Sequence, residues 1–145
     1  MKTKILLLAI TALAGTVLLA AASITGGPQG GRLLDATPLK AEFFVTADRK
    51  VEVTFYNADL APVAPGPQTV TVTAEPAPGR SRIELVKTAR GLVSTSALPA
   101  GEPYRVVVQV RATPDAQPQN FRIDLNLGIC GECKRAEYAC VCEGH

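Results

Sequence analysis

The sequence predicts an all-β domain, a two-sheet antiparallel sandwich of seven strands, and three observations carry that prediction. Apolar residues recur with period two over most of residues 39–128, which buries one face of each strand and wets the other. Turn formers interrupt the alternation at fairly regular intervals, in a 145-residue chain with 12 Gly and 11 Pro. No stretch between the turns keeps a helical period of 3.6 over about ten residues, which excludes βαβ units.

The chain begins with a leader. Lys2 and Lys4 precede an apolar run from Ile5 to Leu19, and Ala20-Ala21-Ala22 supplies small residues at a cleavage position, with Ser23 as the first mature residue. Residues 1–22 are therefore read as a secretory signal peptide. The run from Ile5 to Ala22 is 18 residues, the lower limit of a membrane span, so an uncleaved N-terminal anchor is the alternative and the only route to membrane contact. Either way the positive end stays inside and the domain is exported, to a periplasm or the extracellular space. Residues 23–38 follow; Thr25-Gly-Gly-Pro-Gln-Gly-Gly31 carries no periodicity and is expected to be a flexible linker.

The expected strands are Leu39–Thr46, Val51–Asn57, Gln68–Ala74, Arg82–Lys87, Leu92–Ala97, Tyr104–Ala112 and Asn120–Leu127. Val51, Val53 and Phe55 share a face against Glu52 and Thr54. Val70 and Val72 alternate with Thr69, Thr71 and Thr73, and Phe121, Ile123, Leu125 and Leu127 alternate with Arg122, Asp124 and Asn126. Tyr104–Arg111 also places Val107 on the outer set, which marks it as a central strand. Ala47-Asp-Arg-Lys50, Pro76-Ala-Pro-Gly79 and Thr88-Ala-Arg-Gly91 are short turns, and the segments 62–67 and 114–118 are loops stiffened by proline.

Leu98-Pro-Ala-Gly101-Glu-Pro-Tyr104 resembles the tyrosine corner of Greek-key sandwiches of the immunoglobulin and fibronectin type III kind. In that motif a Tyr opening the penultimate strand bonds back to the backbone a few residues upstream. Tyr104 opens the sixth of the seven expected strands. The resemblance implies a Greek-key connection and no activity; the chain has no Trp and no core cysteine pair.

All chemistry-bearing residues lie in a tail over residues 129–145. Cys130, Cys133, Cys140 and Cys142 are the only cysteines, and His145 is the only histidine, in the spacing C-x2-C-x6-C-x-C-x2-H. One reading is a metal site: Gly131 lets the first pair turn onto one ion, the second pair closes from across a loop, and four thiolates complete the tetrahedral set of structural zinc, with His145 as a further candidate ligand. Cu(I) ranks below zinc, because the only Met is Met1 in the leader. Lys134 and Arg135 are read as a solvated basic pair, with donation to the sulfurs to offset the thiolate charge as the alternative, and Tyr138 is expected to pack the loop on the sandwich. A second reading is a disulfide staple, favoured by an oxidising compartment, with the nested pairs Cys130–Cys142 and Cys133–Cys140. A third is thiol–disulfide exchange at Cys130-Gly-Glu-Cys133, with residues 133–139 continuing as a helix whose N-terminus would acidify the thiol. The sole histidine, three residues past the last cysteine, favours the metal.

Other functions are excluded. Removing Lys2 and Lys4 from 15 Lys and Arg leaves 13 against 13 Asp and Glu, so no basic face is available for nucleic acid. Ser94, Thr95 and Ser96 have no histidine base within reach in the domain, and Asp35, Glu42, Asp48, Glu52 and Asp59 are scattered without paired-carboxylate spacing. The expectation is a non-enzyme that binds a metal ion and meets any protein partner through a sandwich edge. Because the expected strands end at Leu127, removal of residues 129–145 should leave the sandwich folded.

Overall fold

The period-two segments do form strands. The computed structural model describes residues 23–143; the leader expected over 1–22 and the candidate ligand His145 lie outside the described residues. In chain order the strands are β1 (Thr25–Gly26), β2 (Arg32–Leu34), β3 (Lys40–Val45), β4 (Val51–Tyr56), β5 (Pro62–Val63), β6 (Thr69–Glu75), β7 (Ser81–Ile83), β8 (Leu85–Lys87), β9 (Leu92–Ser94), β10 (Tyr104–Arg111) and β11 (Gln119–Leu125). One sheet runs β1-β2-β3-β4-β9-β8, with β5 also on β4; the other runs β11-β10-β6-β7. Every pairing is antiparallel. Among the described residues the only helical element is a single 3₁₀ turn, Glu137–Ala139.

Register follows the alternation. Phe43 lies opposite Val53, and Ala41 opposite Phe55, so the apolar faces of β3 and β4 coincide. Across the other sheet Val72 meets Val108, and Val106 meets both Ala74 and Ile123. The two apolar faces share one core in which Phe43, Val53, Phe55, Val72, Val106, Val108, Ile123 and Leu125 are fully buried. β10 sits between β11 and β6, as its outward-facing Val107 suggests.

The tyrosine corner forms. The Tyr104 hydroxyl donates to the Pro99 carbonyl at 2.7 Å, and Leu98 beneath it is buried. The β3–β4 hairpin loop is stitched to this corner: Leu98 N–H donates to the Arg49 carbonyl at 2.8 Å, and the Arg49 guanidinium reaches the Leu98 and Pro99 carbonyls and the Glu102 carboxylate.

Three expectations change. The segment Arg82–Lys87 is two strands, because the chain passes from one sheet to the other at exposed Glu84: β7 pairs with β6, and β8 with β9. Periodicity reports which side chains face inward, and Ile83 and Leu85 both do; it does not report which neighbour takes the backbone hydrogen bonds. Secondly, the stretch expected as a linker contains β1 and β2, and Leu34 and Ala36 belong to the core. Its glycines provide room: a Cβ on Gly27 would lie 2.2 Å from Cδ of Glu42. Thirdly, the tail is no appendage. Tyr138 and Ala139 are part of the same core cluster as the sheets, so the described part of the tail, residues 129–143, packs with the sandwich.

Candidate metal centre

The tail starts from the end of β11. Backbone N–H groups of Tyr138 and Glu137 donate to the carbonyls of Asn126 and Gly128, and Ile129 bridges Ala136. The loop between is closed on itself: Cys130 N–H donates to the Arg135 carbonyl at 2.8 Å and Lys134 N–H to the Cys130 carbonyl at 3.1 Å. Lys134 takes a left-handed conformation, φ 60°, which reverses the chain directly after Cys133. That reversal replaces the helix expected over 133–139 and removes the helix N-terminus on which the exchange reading relied. The 3₁₀ turn at Glu137–Ala139 then takes up the six-residue spacing.

Tyr138 anchors this turn. It is 3% exposed, its ring meets that of Phe43 edge-on with centroids 5.8 Å apart, and its hydroxyl accepts the Val45 N–H at 3.0 Å. Burial pushes its phenol up to about 12. With Tyr138 fixed, the chain delivers Cys140 and Cys142 to the two loop cysteines.

The four sulfurs converge. One ligand atom from each of Cys130, Cys133, Cys140 and Cys142 lies within 4.8 Å of all the others. Cys133 Sγ is 3.5 Å from Cys140 Sγ, and Cys130 Sγ is 3.8 Å from Cys142 Sγ. A tetrahedron with metal–sulfur bonds of about 2.3 Å has sulfur–sulfur edges of about 3.8 Å, whereas a disulfide requires about 2.05 Å. All four cysteines are free. The close pairs are the ones that a nested staple would join, but at the spacing of ligands around an ion.

Cys130 and Cys140 are buried; Cys133 and Cys142 are partly open to solvent. The surrounding backbone favours thiolate at Cys133, whose thiol is drawn down to about 6 by the Arg135 N–H first and the Val141 N–H second. Cys142 is pushed well above the ordinary thiol range, mainly by its hydrogen bond with the Cys140 sulfur and then by burial, with Glu132 adding to the effect. Cys140 is also raised: the Cys142 N–H favours its thiolate, but burial and proton sharing with Cys130 and Cys133 outweigh it. Four thiols packed this closely do not all ionise without a cation among them. The four sulfurs are close enough together for one metal ion to supply that charge.

The basic pair makes its side-chain bonds to carbonyl oxygens. Lys134 Nζ donates to the Gly131 carbonyl, and Arg135 reaches the carbonyls of Gly27 and Gly31 at 3.3 and 3.4 Å. Their charged ends are engaged by carbonyl oxygens. Ser94 is structural, accepting the Val51 N–H and donating to the Ser96 carbonyl.

Sequence reasoning missed Glu42. It is fully buried, and its carboxylate accepts N–H bonds from Gln29 and Gly31 and the Tyr56 hydroxyl at 2.8 Å. The sequence shows it only as one of several scattered carboxylates, and the glycine loop that covers it has no hydrophobic pattern to announce itself. No family model matches the chain, and no curated protein or solved structure matches it.

Proposed function

We propose that this is an exported, non-enzymatic metal-binding protein, in which Cys130, Cys133, Cys140 and Cys142 hold one zinc ion. The observation that carries the reading is the convergence of four free sulfurs within 4.8 Å of one another. Four-sulfur tetrahedra select zinc, or iron; Cu(I) is the softer competitor. A complete set of protein ligands leaves no open position for a substrate or water, which favours a structural or storage role over catalysis. His145 serves as a spare ligand in this scheme. Export rests on the leader, and places the site where unprotected thiols would oxidise; a bound ion keeps them reduced.

The fold reading is a Greek-key sandwich of the immunoglobulin and fibronectin type III kind. Two features support it: the tyrosine corner, and the strand order β3-β4-β9-β8 facing β11-β10-β6-β7. The open edge of β11 is the candidate surface for a protein partner.

The test is metal content and thiol titration on protein purified without reductant or added metal. Four protected thiols with about one equivalent of zinc per chain support the reading. Replacing zinc by cobalt should give the intense thiolate-to-metal absorption of a four-sulfur site. Two disulfides and no metal would establish the stapled tail instead.

A further inference from the structure

The metal loop and the β1–β2 hairpin share a contact that neither the fold nor metal binding requires. From one side, Glu42 takes the N–H groups of Gln29 and Gly31. Elsewhere on the same loop, the Arg135 guanidinium takes the carbonyls of Gly27 and Gly31. The fit is close: a Cβ on Gly26 would lie 2.8 Å from Arg135 Cζ, and one on Gly27 would overlap Glu42. The hairpin itself is slight. Its strands pair only Thr25 with Leu33 and Gly26 with Arg32, and Gly27 N–H closes the loop on the Gly31 carbonyl at 2.8 Å.

Arg135 is the last residue of the cysteine loop, and its carbonyl accepts the Cys130 N–H at 2.8 Å. Of the loop side chains only Cys130 is buried, while Gly131, Glu132 and Lys134 are exposed. The loop therefore has little packing of its own, and a left-handed lysine besides. Tyr138 is held by Phe43, Val45 and Asn126 independently of the sulfurs. Loss of an ion would thus loosen residues 130–135 and leave the 3₁₀ turn seated.

We propose that metal occupancy of the four-sulfur site governs the seating of the β1–β2 hairpin through Arg135. With metal bound, the loop is rigid and Arg135 clasps the hairpin onto Glu42. Without it, the clasp opens and the hairpin's glycine loop keeps only its hold on Glu42, with Leu34 of β2 still seated in the core. The proposal rests on the metal reading above, and converts a site at one end of the chain into a control on the other.

The test is amide hydrogen exchange followed by mass spectrometry on the full protein: zinc-loaded, after chelation, and as zinc-loaded Arg135→Ala. Metal content is measured on each sample. The expected result is exchange over residues 25–34 faster by about ten-fold or more after chelation, with the amides of β6 and β10 unchanged. Arg135→Ala, whose backbone is intact, should keep its zinc and show the same loss of protection over 25–34. Unchanged protection in that variant with zinc bound overturns the proposal and leaves the metal reading standing. Absence of bound zinc in the parent overturns both. If chelation unfolds the whole domain, the zinc-loaded variant alone decides.

Discussion

Replacing Tyr138 tests whether the tail is part of the core. Tyr138 is 3% exposed, stacks edge-on against Phe43 at 5.8 Å, and accepts the Val45 N–H at 3.0 Å. Truncating a buried aromatic to alanine costs about 3–5 kcal/mol. An edge-to-face pair contributes about 0.5–1.5 kcal/mol of that beyond its area. Tyr138→Phe keeps the ring and removes only the acceptor, leaving the Val45 N–H unpaired at a cost of about 1–2 kcal/mol. The two variants should therefore differ by about 2–3 kcal/mol. Urea denaturation of the parent and both variants, each with the same metal content, measures this directly. In a thermal scan each kcal/mol corresponds to about 3–5 °C for a domain of this size. A Tyr138→Ala midpoint within about 1 kcal/mol of the parent would refute the docking of the tail and restore the picture of a separable appendage.

Three further outcomes follow from the same geometry. Because burial raises the Tyr138 phenol to about 12, its neutral form is the one the fold stabilises. That stabilisation is complete below the unfolded value of about 10 and is lost as pH rises through 12, at about 1.4 kcal/mol per unit; stability between pH 10 and 12 should fall more steeply in the parent than in Tyr138→Phe. Lys134→Val places a β-branched residue at φ 60°, at a cost of about 1–2 kcal/mol, so zinc affinity measured by competition with a chromophoric chelator should drop about ten-fold. Glu42→Gln turns one amide group toward donors where the carboxylate accepted from Gln29, Gly31 and Tyr56, and should lower stability by about 1–3 kcal/mol in urea; an unchanged midpoint would show that the glycine loop does not depend on that charge.

The alternation of Val51, Val53 and Phe55, or of Ile123 and Leu125, is a local property, so the strands that carry it were legible from the chain alone. So was the tyrosine corner, because the Tyr104 hydroxyl bonds the Pro99 carbonyl only five residues upstream. The cysteines declared the candidate site by their spacing, since C-x2-C and C-x-C put sulfurs near one another almost regardless of fold. Sheet membership was a different matter: β7 and β8 continue one alternating run, yet their hydrogen bonds go to β6 and β9, partners fixed by packing far along the chain. Glycine carries no side-chain pattern, so the loop around Glu42 reads as a linker until its close approach is seen. The meeting of the two cysteine pairs likewise depends on Tyr138 reaching Phe43 across ninety-odd residues of sequence, a long-range apolar contact that no local period encodes.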